Sequence, residues 1–95
     1  SIPDKKKINH VNYNHSEVRH LKTIYHSLYR TVGLNIMYYR NLRDFSQDEL
    51  GAMIDKDQSH ISKIERGSVG ISLDTLFDIA KALNVDPYLL LKPKE

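Results

Sequence analysis

The first clear pattern along the chain is a run of apolar residues spaced alternately three and four positions apart. Its members are Val18, Leu21, Tyr25, Leu28 and Val32. This spacing places the five side chains along one face of an α-helix. Asn14, followed three residues later by Glu17, resembles the capping box that starts a helix. We therefore predict an extra N-terminal helix over residues 15–31.

A second helical stretch is predicted from about Val32 to Arg43. Its apolar positions are Leu34, Ile36, Met37 and Leu42. Gly33 lies at the junction with the first helix. Because glycine permits a bend but does not require one, the pattern leaves open whether the helix continues straight through it.

Two short helices joined by a tight turn are predicted within residues 47–65. Ser46 and Glu49 form a capping box at the start of the first helix. The inner face of this helix is formed by Leu50, Met53 and Ile54. Asp57 can cap the second helix, and Gly67 can end it in the left-handed conformation. The inner residues of the second helix are Ile61 and Ile64.

Gly51 lies on the first of these two helices, where a small residue permits a close crossing with the second. Glycine weakens a helix by about 1 kcal/mol relative to alanine. That cost is typical of a position where close packing is needed.

Two further helices complete the secondary structure. Ser72 begins a helix that closes near Asn84. The pair Asp86-Pro87 supplies a cap and a proline at the first helical position for a last short helix, from Tyr88 to Leu91. No segment of the sequence has the alternation of a strand, so the predicted fold class is all-α.

The second helix of the 47–65 pair has a polar side turned away from its inner residues. At about 100° per residue, Ser59, Ser62 and Lys63 lie nearly opposite that inner side, and Gln58 flanks them at the N-terminal end. These amide, hydroxyl and ammonium groups can read base edges in a DNA major groove. A polar face on a short helix is more often merely solvated, but its coupling to a capped partner helix favours DNA reading.

The charge of the chain is unevenly distributed. The formal net charge is +2, and residues 1–32 carry six Lys/Arg against two acids, a local charge of +4. Residues 33–92 carry seven Lys/Arg against nine acids, a local charge of −2. A DNA-facing surface in this second part must therefore come from the arrangement of its side chains rather than from bulk charge.

Residues 1–14 lack a sustained apolar period and are predicted to be a flexible basic arm. Its lysine run is Lys5, Lys6 and Lys7. The run either solubilises the chain or lies along DNA phosphates, where it would raise the affinity and its salt dependence.

Several other function classes are disfavoured. The chain has no cysteine, which excludes a disulfide framework and a thiolate metal site, and no apolar run approaches the roughly 20 residues of a membrane span. The five histidines are His10, His15, His20, His26 and His60. Their spacing does not align them as metal ligands or catalytic groups. We predict no enzymatic activity, no metal and no cofactor.

Three segments in combination resemble the phage-repressor/Cro-like helix-turn-helix family, also called the XRE family. They run from Ser46 to Gly51, from Gln58 to Gly67 and from Leu83 to Pro87, within residues 34–91. The resemblance implies a lambda-repressor-like domain of five helices over residues 32–92, preceded here by the extra N-terminal helix.

The resemblance also implies roles for individual residues. Contacts to DNA bases are expected from Gln58, Ser59, Ser62 and Lys63. Contacts to the DNA backbone are expected from Ser46, Gln47, His60, Ser68 and Ser72. Arg40 and Glu65 occupy the positions of a structural ion pair, and Glu65 lies beside the inner stripe, where a carboxylate needs a partner. Asp55 stands where many relatives have glycine, and aspartate tolerates the left-handed conformation better than most residues.

The combined prediction is a sequence-specific, homodimeric transcriptional regulator, a repressor that binds a two-fold symmetric operator in double-stranded DNA, in the cytoplasm with the nucleoid. The dimer is expected because one recognition helix covers only a few base pairs. Its candidate interfaces are Leu89, Leu90 and Leu91, or the N-terminal helix, which could instead bind another protein.

Alternatives within the same fold are a restriction-modification controller and an antitoxin that represses its own operon. A protein-interaction module on a helix-turn-helix scaffold is the alternative from a different class.

Overall fold

The computed structural model describes residues 14–94, apart from the side chains of residues 17–23. The helices of this part are α1 (His15–Leu42), α2 (Gln47–Met53), α3 (Gln58–Glu65), α4 (Leu73–Leu83) and α5 (Pro87–Leu91). Within residues 14–94 no strand forms, and the all-α prediction is confirmed. None of these described helices is long and apolar enough to cross a membrane.

The longest helix, α1, joins the two helical stretches that the sequence pattern distinguished. It continues through Gly33 without a break in the helix. A Cβ atom on Gly33 would lie only 2.4 Å from the carbonyl oxygens of Ile64 and Glu65. The glycine therefore lets the backbone of α1 cross the C-terminal end of α3 at very short range.

The core lies between the C-terminal half of α1 and the four shorter helices. Its buried members are Val32, Ile36, Leu50, Ile61, Ile64, Leu76, Ile79, Ala80, Leu83 and Leu90. Asn35 is buried beside them, and its Nδ2 donates to the carbonyl oxygens of Leu90 at 3.0 Å and Lys92 at 2.7 Å. This amide fastens the end of α5 to α1, and both of its donor hydrogens are satisfied.

Three residues predicted to make apolar contacts are exposed. They are Leu34, Leu42 and Met53. On α1 the buried side is formed by positions such as Val32 and Ile36, and the helical phase turns the two leucines away from it. On α2 the inner side is formed by Leu50 and Gly51, so the prediction of Met53 as an inner residue is wrong.

Each of the four short helices starts at the residue predicted to cap it. The caps are Ser46, Asp57, Ser72 and Asp86, and each side chain accepts a hydrogen bond from a backbone N–H in the first turn. Gly67 follows α3 with φ of 71°, and Asn84 ends α4 with φ of 56°. Both residue types tolerate this left-handed conformation.

The sequence predicted that Gly51 allows a close crossing of the two helices, but the structure shows that the close neighbour of Gly51 is the turn between α2 and α3. A Cβ atom there would lie 2.4 Å from the carbonyl oxygen of Lys56, whose N–H donates to the Gly51 carbonyl at 2.8 Å. The tight neighbour is thus the turn that folds back on α2, rather than the body of the second helix. Asp55 in this turn has φ of 59°, the conformation expected for it.

Candidate nucleic-acid interface

Helix α3 has one side in the core and the opposite side in solvent. Ile61, Ile64 and Glu65 are buried. The predicted base-contacting residues are on the other side or at the N-terminal end: Gln58, Ser59 and Lys63 are exposed, and Ser62 is half-buried. We call these four residues the outer face of α3. The structure thus brings the four polar side chains onto one accessible surface.

An ion pair lies behind this face. Arg40 on α1 donates from Nε to Oε2 of Glu65 at 2.7 Å and from Nη2 to Oε1 at 3.0 Å, in a two-pronged contact. The Glu65 side chain is 1% exposed and that of Arg40 is 11% exposed. Arg40 Nη1 also donates to the carbonyl of Phe45 at 2.8 Å. The pair expected from the family resemblance is present, and it compensates a carboxylate held out of water.

The same carboxylate orients the two glutamines that start α2 and α3. Gln47 Nε2 donates to Glu65 Oε1 at 2.9 Å, and Gln58 Nε2 donates to Gln47 Oε1 at 2.6 Å. We call this chain of four side chains, from Arg40 through Glu65 and Gln47 to Gln58, the Glu65 relay. Because Glu65 can only accept, the Gln47 amide must point its NH2 group inward and its oxygen toward Gln58.

The relay leaves a defined set of groups free on Gln58. One N–H of its Nε2 is used within the protein, so its Oε1 and its second N–H remain for a ligand. Adenine presents an N6–H donor beside the N7 acceptor in the major groove, which is the complement of that pair. The sequence predicted roles for both glutamines separately, but not the hydrogen bond between them.

The serines predicted to contact the DNA backbone form hydrogen bonds within the protein, at the ends of helices. Ser46 Oγ accepts from the N–H of Glu49 at 2.9 Å, and the Ser46 N–H donates to Glu49 Oε1 at 2.9 Å. Ser72 Oγ donates to Thr75 Oγ1 at 3.0 Å. Ser68 donates from both its N–H, at 3.0 Å, and its hydroxyl, at 3.1 Å, to the carbonyl of Lys63. In this conformation the Ser68 hydroxyl has no hydrogen left for a phosphate.

The Ser46 cap also affects the ionisation of Glu49, in the first turn of α2. The backbone N–H of Ser46, and then its hydroxyl, lower the pKa of the Glu49 carboxyl below its ordinary value. Glu49 is therefore an anion at neutral pH, and it stabilises the positive end of the α2 dipole.

One cation on the outer side of α3 was not identified from the sequence. Arg66 ends the helix with φ of −81° and ψ of −8°, so the helical path continues through it. Its Nη1 donates to Ser62 Oγ at 2.8 Å, and the residue is exposed. The signal was available, since Arg66 follows Ser59 by seven residues, about two helical turns.

The sequence model of a family described as Helix-turn-helix matches residues 36–90. This chain belongs to that helix-turn-helix family. The resemblance to the XRE family, first indicated by three short segments, is thereby confirmed. The match contains α2, α3 and Arg40, and hence all members of the Glu65 relay.

Individual relatives agree with the family. Over 56 residues the helix-turn-helix chain is 43% identical to an uncharacterized HTH-type transcriptional regulator of Sinorhizobium fredii, covering 59% of this chain but only 28% of that protein. It is 37% identical over 57 residues to the control protein C.SmaI of Serratia marcescens, covering 59% of this chain and 68% of the relative.

Two solved structures share the fold of this helix-turn-helix protein. The restriction-modification controller protein C.AhdI of Aeromonas hydrophila superposes with a TM-score of 0.67 at 26% identity, over 70% of this chain and 96% of the controller. The hypothetical transcription factor NHTF of Neisseria gives a TM-score of 0.67 at 32% identity, over 70% of this chain and 76% of that protein.

The N-terminal half of α1 precedes the helix-turn-helix match. Its described apolar side chains are largely exposed, at 44% for Ile24, 49% for Tyr25 and 57% for Leu28, whereas Val32 is 7% exposed. Among the described members of the predicted apolar face, Val32 enters the core, whereas Tyr25 and Leu28 remain exposed. The lysine run of the predicted basic arm, Lys5 to Lys7, lies outside the described residues.

Proposed function

We propose that this chain is a sequence-specific DNA-binding transcriptional regulator, a homodimeric repressor of a two-fold symmetric operator. The observation that carries the proposal is the Glu65 relay, which orients Gln58 on the outer face of α3 from a buried ion pair. A solvated helix face has no need of such a support. Pre-oriented polar groups lose less conformational entropy when they bind a base edge.

In this proposal α3 enters the major groove with its N-terminal end leading. Gln58 meets an adenine through its free oxygen and N–H, and Lys63 donates to guanine acceptors. Ser59 and Ser62 can each donate to, or accept from, a neighbouring base. Gln47, His60 and the start of α2 lie beside this face and approach the DNA backbone. The regulator would act through binding alone, without a catalytic step.

A controller of a restriction-modification locus is the more specific candidate. Its support is the resemblance to C.SmaI and to the controller C.AhdI, 96% of which is covered by this chain. The alternative is a repressor of another operon. The genes next to the operator that the protein selects would distinguish the two.

Dimerisation is part of the proposal because one recognition helix contacts too few base pairs for a unique site. Leu90, one of the expected interface residues, is fully buried in its own core and is not available. In the described part of the chain, two of the expected interface regions have exposed apolar side chains that a second copy could cover. They are Tyr88 with Leu91 on α5, at 60% and 51% exposure, and the described residues Ile24, Tyr25 and Leu28 on α1.

Charged substitutions can show which of these two surfaces forms the dimer interface. Sedimentation of the parent should show a dimer, and either Leu91→Asp or Leu28→Asp should dissociate it. If Leu91→Asp is the disruptive change, the exposed side of α1 is left for another protein partner. A monomeric parent that still binds its operator tightly would contradict the dimer.

The direct test of the proposed function is unbiased selection from random double-stranded DNA. We expect enrichment of a two-fold symmetric sequence that is bound at least about 1,000-fold more tightly than unrelated DNA. Binding should weaken steeply with salt, and more steeply if the basic arm lies on phosphates. Failure of any sequence to be enriched would overturn the proposal. The expected location, in the cytoplasm with the nucleoid, follows from the same role.

A further inference from the structure

The outer face of α3 extends one turn further than the four residues already described. Ser59, Ser62 and Arg66 follow one another at intervals of three and four residues, which places them along one line of the helix. Arg66 has right-handed helical φ and ψ angles, so its side chain starts from the same side as that of Ser59. A guanidinium group therefore stands on the side of α3 that faces solvent.

A hydrogen bond directs this guanidinium back along the helix. Arg66 Nη1 donates to Ser62 Oγ at 2.8 Å, so the charged end of the side chain lies one turn nearer the N-terminus than its own Cα atom. Ser62 lies three residues, about 4.5 Å, beyond Ser59 along the helix axis. The cation is thus placed among the proposed base-reading groups.

The remaining donors of Arg66 fit one base in particular. Nη1 uses one hydrogen on Ser62, which leaves its second hydrogen, both hydrogens of Nη2 and that of Nε. Guanine presents O6 and N7, two adjacent acceptors, in the major groove, and a guanidinium can contact both at once.

We propose that Arg66, positioned by Ser62, is a specificity-determining residue that reads a guanine in the major groove. This inference rests on the proposed function, because it requires α3 to lie in the major groove. Ser62 is then a positioning residue, since its hydroxyl oxygen accepts from the guanidinium and holds it over the helix. Lys63, about 100° further around the helix than Ser62, meets a different base edge.

The test measures affinity for the selected operator and for every single-base variant of it. Arg66→Ala should lose about 5- to 150-fold of the discrimination at one G·C pair and keep the preferences elsewhere. Ser62→Ala should lose part of the discrimination at the same pair. Lys81→Ala removes an exposed cation from α4 and is the matched control, expected to keep the full preference profile.

Two results for Arg66→Ala would overturn the proposal. If Arg66→Ala weakens all sequences equally and lowers the slope of log affinity against log salt by about 0.9, Arg66 contacts only a phosphate and the proposal is overturned. An unchanged profile overturns it as well. As a control for folding, Arg66→Ala should unfold thermally at the same temperature as the parent. If the parent itself selects no sequence, the proposed function fails; if only the Arg66 result is negative, that function stands.

Discussion

Two glutamates support the helix pair of this protein, and they do so in opposite ways. Glu49 is exposed, and its partner Ser46 lies three residues earlier in the chain. Glu65 is 1% exposed, and its partner Arg40 lies 25 residues earlier, on another helix. The first carboxylate caps a single helix, whereas the second ties α1, α2 and α3 together. The first contact follows from spacing within one helix, whereas the second also fixes the orientation of Gln58 through Gln47.

The largest effect is expected from removing the partner of Glu65. Arg40→Ala leaves a carboxylate buried with only the Gln47 amide as a donor, so the free energy of unfolding should fall by about 3–5 kcal/mol. Chemical denaturation measures this directly. As a matched control, Arg40→Met combined with Glu65→Leu removes both charges and should recover most of the stability. Unchanged stability of Arg40→Ala would show that the ion pair is not structural.

An intermediate effect is expected at the second donor to Glu65. Gln47→Ala removes a hydrogen bond to a buried charge, which contributes about 1.5–3 kcal/mol, and it also releases Gln58. From the sequence alone, Gln47→Ala should weaken binding to all DNA sequences alike. Because Gln47 also orients Gln58, we expect Gln47→Ala to lose, in addition, discrimination at the adenine assigned to Gln58. A variant with parental stability and a purely uniform loss of affinity would place Gln47 on a phosphate and outside the relay.

The smallest effect is expected at Glu49, and it should depend on pH. Because hydrogen bonds from Ser46 lower the pKa of this carboxyl in the folded state, its contribution to stability is present above the unfolded-state pKa of about 4.3. The contribution is lost as the pH falls through the lower folded-state pKa. Glu49→Gln should therefore melt below the parent at neutral pH, and the gap should close below about pH 4. A gap that is the same at pH 7 and pH 3 would assign the effect to something other than ionisation.

The contrast between the glutamates also explains what the sequence could predict. Helix starts at Ser46, Asp57, Ser72 and Asp86 were predicted because a cap side chain and the backbone N–H that donates to it are separated by only two or three residues. The two sides of α3 were predicted because helical phase is a local property.

Contacts between distant residues were predicted less well. The hydrogen bond between Gln47 and Gln58 requires the relative placement of two helices, which no spacing specifies. Gly33 could be placed at a junction, but its role at the crossing of α1 and α3 depends on carbonyl groups more than 30 residues away. Arg66 lies one residue beyond the helix pair predicted within residues 47–65, so the predicted polar side of the helix ended at Lys63.

The most direct test of DNA reading by α3 is the base preference of Lys63→Ala. Lys63 is exposed, so the substitution should leave the fold intact while removing one outward ammonium group. Affinities for the selected operator and all its single-base variants should show a loss of about 1–3 kcal/mol of discrimination at one base pair, with the other preferences retained. A preference profile identical to that of the parent would contradict docking of α3 in the major groove.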